Sequence, residues 1–263
     1  MISIYEYRPL LFYCAAVAAA FGAVMGSFLN CAAWRYVRGE SFLRGRSRCP
    51  SCGHVLSAAE LIPVFSWLFQ RGRCRACGSR IPARYPLTEL CAALITVLCL
   101  LRFDLTVLCL RNYVFLCCLF FLTLTDLEEM VIPDECHVIA VTAWVLALSF
   151  TGDTLMEGCL KILSGILAGG LLLAVSLILD RVLGRESLGG GDIKLLAVTG
   201  LYLGPVGTLF ALMISCVLGL VLRGAASEKG KEFPFGPFLA AASGAMLLFG
   251  DPLVRWYAGL LGL

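Results

Sequence analysis

The sequence predicts an all-α polytopic membrane protein with about eight transmembrane helices and a small cytoplasmic zinc-ribbon-like loop domain. Hydrophobic residues make up 60% of the 263 positions and charged residues 15%, and the mean hydropathy is +0.89. One soluble core needs far less apolar surface. Eight stretches approach the roughly 20 apolar residues of a spanning helix, and a polar, arginine-rich segment with four cysteines separates the first two.

The predicted spans, in order, cover residues 9–34, 86–103, 112–132, 136–152, 155–180, 190–204, 206–223 and 234–250. The first stretch is too long for a signal-peptide core and lacks a basic start, so we expect a retained helix. Gly204 and Pro205 separate the sixth and seventh stretches, which form either a tight helical hairpin or one broken element. We expect a short interfacial helix from Arg255 to Leu263, with Trp256 and Tyr257 at headgroup level.

The distribution of arginine predicts the orientation in the membrane. Ten arginines separate the first two spans, against only Glu40 and Glu60: Arg35, Arg38, Arg44, Arg46, Arg48, Arg71, Arg73, Arg75, Arg80 and Arg84. The positive-inside rule places this loop in the cytoplasm. Because the loop is short and tethered at both ends, topology explains its charge better than nucleic-acid binding does. Alternation then places the turns at 126–135, 180–190 and 223–232 on the same cytoplasmic face.

The fourteen cysteines fall into two groups. Ten lie in apolar stretches, where cysteine behaves as a small hydrophobic residue. The other four, Cys49, Cys52, Cys74 and Cys77, form two C-x2-C pairs with 21 residues between them, slightly more than in the usual zinc ribbon. In a reducing compartment this pattern favours a closed, structural zinc site over disulfides or a catalytic thiol. His54 is an alternative ligand, but we expect it to be hydrogen-bonded near the metal.

Two aspartates lie where apolar segments reach the predicted cytoplasmic boundary. Asp126 stands near the end of the third span and Asp192 follows three glycines at the start of the sixth. Carboxylates at membrane depth are costly and therefore usually functional. Two carboxyl groups in contact share a proton, so one acts as base and the other as acid. Alternatively each is an ordinary helix-end carboxylate, an explanation that suits Asp192 better than Asp126.

Ordered motifs over residues 22–240 resemble the prepilin peptidases of type IV pilus and type II secretion systems, which belong to the G-x-G-D intramembrane aspartic proteases. The motifs are Gly26–Asn30, Arg48–His54, Ile62–Leu68, Arg71–Gly78, Arg84–Leu90, Asp126 with Ile132–Asp134, Gly189–Leu195 and Phe233–Phe238.

This resemblance implies that Asp126 and Asp192 are the catalytic pair. The substrate would be a prepilin or pseudopilin, cut after the glycine that ends its basic leader, at the cytoplasmic face of the bacterial inner membrane. Members with the cysteine-bearing loop also methylate the new N-terminus with S-adenosylmethionine. No residue in the sequence indicates the binding site of that methyl donor.

We therefore predict three parts: a first transmembrane helix at 1–34, an arginine-rich tetracysteine domain at 35–85, and a helical aspartic peptidase domain at 86–263. Membrane lipid and the pilin substrate are the expected partners. The main alternative is an ion-coupled transporter whose intramembrane acids bind cations, and a further one is a membrane-anchored zinc-ribbon scaffold.

Several polar residues near the proposed sites have simple structural explanations. We expect Lys194 to extend to the membrane boundary rather than pair with Asp192. Glu128, Glu129 and Asp134 form either a solvated turn or a surface that attracts the basic leader. Packing against the zinc loop is the expected role of Asn30 and Glu89.

Overall fold

The structure is a computed structural model that describes residues 4–5, 7–41, 45–152, 154–184, 188–225 and 234–260, without the side chains of 223–225 and 258. Arg44, the turn at Arg185 and Glu186, and the Lys229–Phe233 stretch lie outside the described residues. The described helices are α1 (Arg8–Tyr36), α2 (Phe65–Phe69), α3 (Arg84–Phe103), α4 (Val107–Glu129), α5 (Asp134–Leu148), α6 (Leu155–Leu183), α7 (Gly190–Ala225), α8 (Gly236–Phe249) and α9 (Asp251–Leu260), with a short 3-10 helix at Ala58–Leu61.

Five of the described helices are long and apolar enough to cross a membrane: α1, α3, α4, α6 and the Gly190–Leu222 part of α7. A sixth candidate is α8 together with α9, which are bent by 82° at Gly250. The multi-pass, all-helical class is thus confirmed. The predicted count of eight is not reached on length, because α5 has 15 residues and α8 has 14, against the roughly 20 of a full span.

The boundaries of the third predicted span were wrong at both ends. Helix α4 ends at Glu129, because Met130 takes a left-handed φ of 54° and its N–H closes on the carbonyl of Asp126 at 2.9 Å. The helix also begins at Val107, before the predicted start at residue 112, so Arg111 is inside it. Arg111 is buried, donates to Asn112 Oδ1 at 3.2 Å, and lies 5.6 Å from the ring centre of Tyr202.

The chain divides into two compact units, Met1–Cys109 and Leu110–Leu263. In the first unit, α1 and α3 pack closely through the glycines of α1. A methyl group on Gly22 would collide with Thr96 and the backbone of Ala92, and one on Gly26 would lie 2.6 Å from Ala92 Cβ. Small residues let two helix backbones approach in an apolar environment, and this contact brings the two ends of the cysteine loop together.

In the second unit, α7 reverses direction at Gly204. That residue has a φ of 68°, which favours glycine, and Pro205 follows. A continuous helix would separate Gly191 from Gly219 by about 42 Å. Yet Gly191 contacts Ile132, Ile132 contacts Gly236, and Gly219 lies against the neighbouring Phe235. Because this short chain of contacts joins them, the two halves of α7 form a helical hairpin.

The first half of α7 crosses α6 at a point where only glycine fits. A methyl group on Gly165 would collide with the carbonyl oxygen of Ala197, and one on Gly200 would collide with the backbone of Gly165. Ser164 Oγ donates to the carbonyl of Gly200 at 2.8 Å across the same crossing. The crossing therefore fixes where Asp192, eight residues before Gly200, sits along the bundle.

We expect Gly165→Ala to destabilise the protein by about 1–3 kcal/mol, the usual cost of an added group in a packed interior. The matched control is Gly170→Ala on the same helix, where a methyl group meets nothing within 4 Å. Thermal unfolding of both variants in one detergent measures the difference. Equal melting temperatures would contradict the described crossing.

Candidate active site and metal centre

Asp126 lies in the last turn of α4, where it is buried and 5% exposed. Its Oδ2 atom has no hydrogen-bond partner among the described residues and would lie 2.7 Å from a methyl group on Gly236. The Asp126 carboxyl can therefore approach the first turn of α8 only because residue 236 is glycine. A buried polar atom without a partner is costly, and such atoms often mark functional sites.

Asp192 is the third residue of α7 and is also buried, at 6% exposure. Its N–H donates to the carbonyl of Gly189 at 3.1 Å. Its Oδ1 atom, like one oxygen of Asp126, lacks a partner among the described residues. The helix N-terminus favours a negative charge here, but it leaves this oxygen unsatisfied.

Ile132 packs against a glycine beside each aspartate. A methyl group on Gly191 would lie 2.7 Å from Ile132 Cβ, and one on Gly236 would lie 3.1 Å from Ile132 Cδ1. The carboxyl groups of Asp126 and Asp192 are close enough for a direct electrostatic interaction. The structure thus brings together two acids that are far apart in the sequence, at one end of the second unit.

A solvent-exposed ion pair joins the first turn of α5 to the first turns of α7. Lys194 Nζ lies 2.7 Å from Asp134 Oδ1 and 2.9 Å from Asp134 Oδ2. The partner of Lys194 is thus Asp134, the first residue of α5, and the extension of Lys194 to the membrane boundary stays a prediction. His137, one turn further along α5, is buried with its Nδ1 3.8 Å from Asp134 Oδ1.

In the first unit, the four predicted cysteines form one cluster. Their sulfur atoms all lie within 4.8 Å of one another, and those of Cys49 and Cys77 are 3.9 Å apart. Each pair is held by the same turn: Cys49 accepts from Gly53 N–H and donates to the carbonyl of His54, and Cys74 does the same with Gly78 and Ser79. Sulfurs on a tetrahedral zinc with bonds of about 2.3 Å are about 3.8 Å apart, so the donor set fits zinc.

The four thiols of the cluster differ in acidity, and hydrogen bonds with Ser79 lower the pKa of the Cys77 thiol. The N–H of Cys52 donates to Cys49 and, against the effect of burial, lowers the pKa of the Cys49 thiol to about 6. At Cys52 the N–H of His54 has the same effect, but burial and the thiols of Cys77, Cys49 and Cys74 together raise its pKa to about 12. The thiols of the cluster therefore influence one another's ionisation through hydrogen bonds between their sulfur atoms.

Two buried glutamates hold the segment between the cysteine pairs. Glu60 Oε2 accepts from Ser57 N at 2.9 Å, from Ser57 Oγ at 2.8 Å and lies 3.3 Å from His54 Nε2. Glu89 of α3 accepts from the N–H of Val64 at 2.6 Å. His54 is hydrogen-bonded near the cluster and Glu89 packs against the loop, as expected. Asn30 instead donates to Thr88 of α3, at 3.3 Å.

Comparisons with known proteins agree with the two-unit organisation. Residues 20–103 match the family described as bacterial peptidase A24 N-terminal domain, and residues 113–223 match the type IV leader peptidase family. A prepilin leader peptidase/N-methyltransferase of Bacillus subtilis (strain 168) is 34% identical over 243 residues, which cover 90% of this chain and 95% of the relative. The chain belongs to the prepilin leader peptidase/N-methyltransferase family.

Other members of this family are similar over most of the chain. The protein of the same name in Aeromonas salmonicida (strain A449) is 36% identical over 81% of this chain and 74% of its own length. The one in Dichelobacter nodosus is 31% identical over 88% of this chain and 90% of its own length. No solved structure matches significantly. The transporter alternative has no support in these comparisons.

Sequence reasoning missed the residues that join the two aspartates. Ile132, Gly236 and the Lys194–Asp134 pair stand inside motifs that the sequence made visible, but nothing in those motifs shows which residues meet. One signal was available for Gly191, which directly precedes Asp192, because glycine permits close approach. Glu60 gave a weaker signal, because Ser57 and Glu60 have capping-box spacing.

The carboxylate of Glu60 should control access to the cysteine loop. Because hydrogen bonds from the Ser57 N–H and hydroxyl lower its pKa from 4.5 to about 2, its stabilising effect is complete above pH 4.5 and is lost as the pH falls toward 2. At neutral pH we expect Glu60→Ala to speed tryptic cleavage at the loop arginines about tenfold by favouring local opening. Glu40→Ala, at an exposed acid of the same loop, is the control, and equal rates would contradict this role.

Proposed function

We propose that this protein is an integral membrane aspartic endopeptidase that removes the basic leader of type IV prepilins or type II secretion pseudopilins. Asp126 and Asp192 are the proposed catalytic pair. The observation that supports them best is that both are buried and close enough to interact electrostatically, and that each has an oxygen without a partner among the described residues. A water molecule and a substrate peptide supply the missing hydrogen bonds in this proposal.

The chemistry follows from one proton shared between two carboxyl groups. The ionised carboxylate takes a proton from water as the water oxygen attacks the carbonyl carbon of the glycine that ends the leader, and the protonated carboxyl donates to that carbonyl oxygen. The tetrahedral intermediate collapses when the amine nitrogen is protonated and the C–N bond breaks. No acyl-enzyme forms, because no side chain attacks the carbonyl.

Glycine residues and the exposed Lys194–Asp134 ion pair position the two carboxyl groups. Glycine at position 236 leaves no side chain beside the Asp126 carboxyl, and glycine at position 191 lets the turn before Asp192 pack against Ile132. Three glycines before Asp192 cannot hold a firm helix start, so the contact of Gly191 with Ile132 and the Lys194–Asp134 pair orient that turn. Attraction of the basic leader by Glu128, Glu129 and Asp134 stays a prediction.

The second proposed activity is methylation of the new N-terminus with S-adenosylmethionine as the methyl donor. Family membership supports it, since the relatives carry N-methyltransferase in their names. We assign this chain's contribution to the first unit, but no individual residue to the methyl donor.

We propose a structural zinc ion held by Cys49, Cys52, Cys74 and Cys77. Four sulfurs within 4.8 Å of one another and two matching turns support a closed tetrahedral site. All four positions are taken by protein, so such an ion has no coordination site left for substrate and would serve the fold of the loop.

We propose eight spans in the bacterial inner membrane, with the cysteine loop and both aspartates on the cytoplasmic side. The hairpin in α7 supports this count, since each half is then one span. The ends near Glu129, Gly190, Gly219 and Gly236 meet at one level, as strict alternation requires. Short α5 and α8 would be accommodated by local thinning of the bilayer. The division into 1–34, 35–85 and 86–263 remains a prediction.

Mass spectrometry of one synthetic prepilin tests both activities. The purified protein with S-adenosylmethionine should release the leader and add the mass of one methyl group to the product. Asp126→Asn and Asp192→Asn should each lower the cleavage rate by at least about 10³-fold, since removing one member of a catalytic unit disables the whole.

Asp251→Asn is the matched control for these variants. It removes a carboxylate at the other end of α8, about 20 Å from Gly236, and should leave the rate unchanged. Cleavage retained in either Asp126→Asn or Asp192→Asn would refute the catalytic assignment.

Metal analysis tests the zinc proposal. The purified protein should contain about one zinc per chain, and Cys74→Ser should lower the content at least about tenfold, since a serine hydroxyl is a poor replacement for thiolate. Cys91→Ser, at an exposed thiol of α3, should retain the zinc. Unchanged zinc content in Cys74→Ser would disprove the assignment.

A further inference from the structure

Helix α2 presents large apolar side chains to its surroundings. Phe65 is 59% exposed, Leu68 56% and Phe69 81%. At spacings of three and four residues they share one helical face. Leu61 and Ile62, just before this helix, are 43% and 50% exposed. We call these five residues the α2 patch. A soluble surface rarely exposes so many large apolar side chains together.

The rest of α2 holds this patch in place. Trp67 Nε1 donates to the carbonyl of Ile81 at 3.1 Å, and its ring packs against Gly72. The helix is flanked by Val64 and Arg71, which have φ values of 64° and 53°. For a β-branched residue this conformation is strained and persists only when the surroundings impose it. The structure thus fixes the exposed face instead of turning it inward.

The position of α2 relative to α3 places the patch at the membrane surface. The N–H of Val64 donates to Glu89, the sixth residue of α3. Glu89 lies about 7.5 Å along that helix from its first residue, so α2 begins beside the first two turns of a candidate membrane span. The loop also leaves α1 at Tyr36 and enters α3 at Arg84, so its ends are both tied to membrane helices.

The charge around the patch has one sign. From residue 61 to 84 the sequence has five arginines and no acidic residue, and from 41 to 88 its only acid is Glu60, which is buried. The arginines of this region that the structure describes are exposed: Arg46, Arg48, Arg71, Arg73, Arg75, Arg80 and Arg84. Basic residues beside a bilayer bind anionic headgroups, and a basic surface with an apolar face is typical of interfacial helices.

We propose that the α2 patch docks into the headgroup region of the protein's own bilayer, with the flanking arginines on anionic lipids. The cysteine loop would then be held against the membrane along α2 as well as at its two ends. This inference rests on the first unit alone and does not depend on the peptidase assignment.

Photo-crosslinking identifies what lies against the patch. The protein with Phe69→p-benzoylphenylalanine is placed in nanodiscs of phosphatidylcholine with or without phosphatidylglycerol, irradiated, and analysed by mass spectrometry. We expect lipid adducts as the main product, at least about threefold more abundant with phosphatidylglycerol, because the arginines favour anionic headgroups.

The matched control carries the same label together with Phe65→Ser and Leu68→Ser, which keep every arginine. Lipid adducts should fall at least about fivefold, because the apolar face that inserts is lost. Gel filtration of both proteins checks that they remain monodisperse. The proposal is overturned if the label does not react with lipid or if it forms adducts with a second copy of the protein. It is also overturned if, with a pilin peptide added to the nanodiscs, the label forms adducts only with that peptide.

Discussion

The organisation of the second unit depends on burying two carboxyl groups that the protein itself does not fully satisfy. Asp126 and Asp192 are almost completely enclosed, and each keeps one oxygen without a partner among the described residues. Burial of such atoms costs free energy that the surrounding packing must offset. Three segments meet around them, the end of α4, the start of α7 and the start of α8, and Ile132 contacts the last two. This arrangement suits a site whose remaining hydrogen bonds come from water and substrate.

Close approach and stiffness are opposing demands at this site, and different residues meet them. Gly191 and Gly236 allow close approach, since a methyl group at either position would collide with Ile132 or with Asp126. Gly190, one residue away, has open space around it, so its lack of a side chain serves no packing contact. The exposed Lys194–Asp134 pair contributes little stability of its own. Its value is positional, because it joins the first residues of α5 and α7 beside a glycine-rich turn.

The cysteine loop is a short polar segment that folds with almost no apolar core. Its two matching turns gather four sulfurs, and its middle segment is held by buried glutamates from within the loop and from α3. Small domains of this kind usually require a metal or disulfides. The apolar residues that could have formed a core, Phe65, Leu68 and Phe69, are exposed instead. A loop tied to membrane helices at each end can bury its apolar side chains in the bilayer, whereas a soluble domain would bury them in its own core.

Local sequence was sufficient for the class of protein, the approximate spans and the grouping of the four cysteines. Hydropathy and motif spacing are properties of neighbouring residues, so these predictions needed no knowledge of packing. Because successive spans alternate in direction, the sequence also predicted that both aspartates lie at one end of the bundle. It could not predict that they approach each other. Errors occurred at the helix ends, as in α4, which begins at Val107 and ends at Glu129 instead of covering 112–132. The sequence also could not identify Asp134, 60 residues away, as the partner of Lys194.

Tertiary structure alone decided which groups meet. Asp126 and Asp192 are separated in the chain by two helices, α5 and α6, and their approach depends on how α6 crosses α7 at Gly165 and Gly200. Whether Gly204 and Pro205 make a hairpin or a bend was open in the sequence, because a helix-breaking pair is compatible with both. Only the contacts of Gly191 and Gly219 with the same end of the unit distinguish them. The physical reason is that the packing of glycine against a neighbouring helix depends on residues distant in the chain, which local patterns do not report.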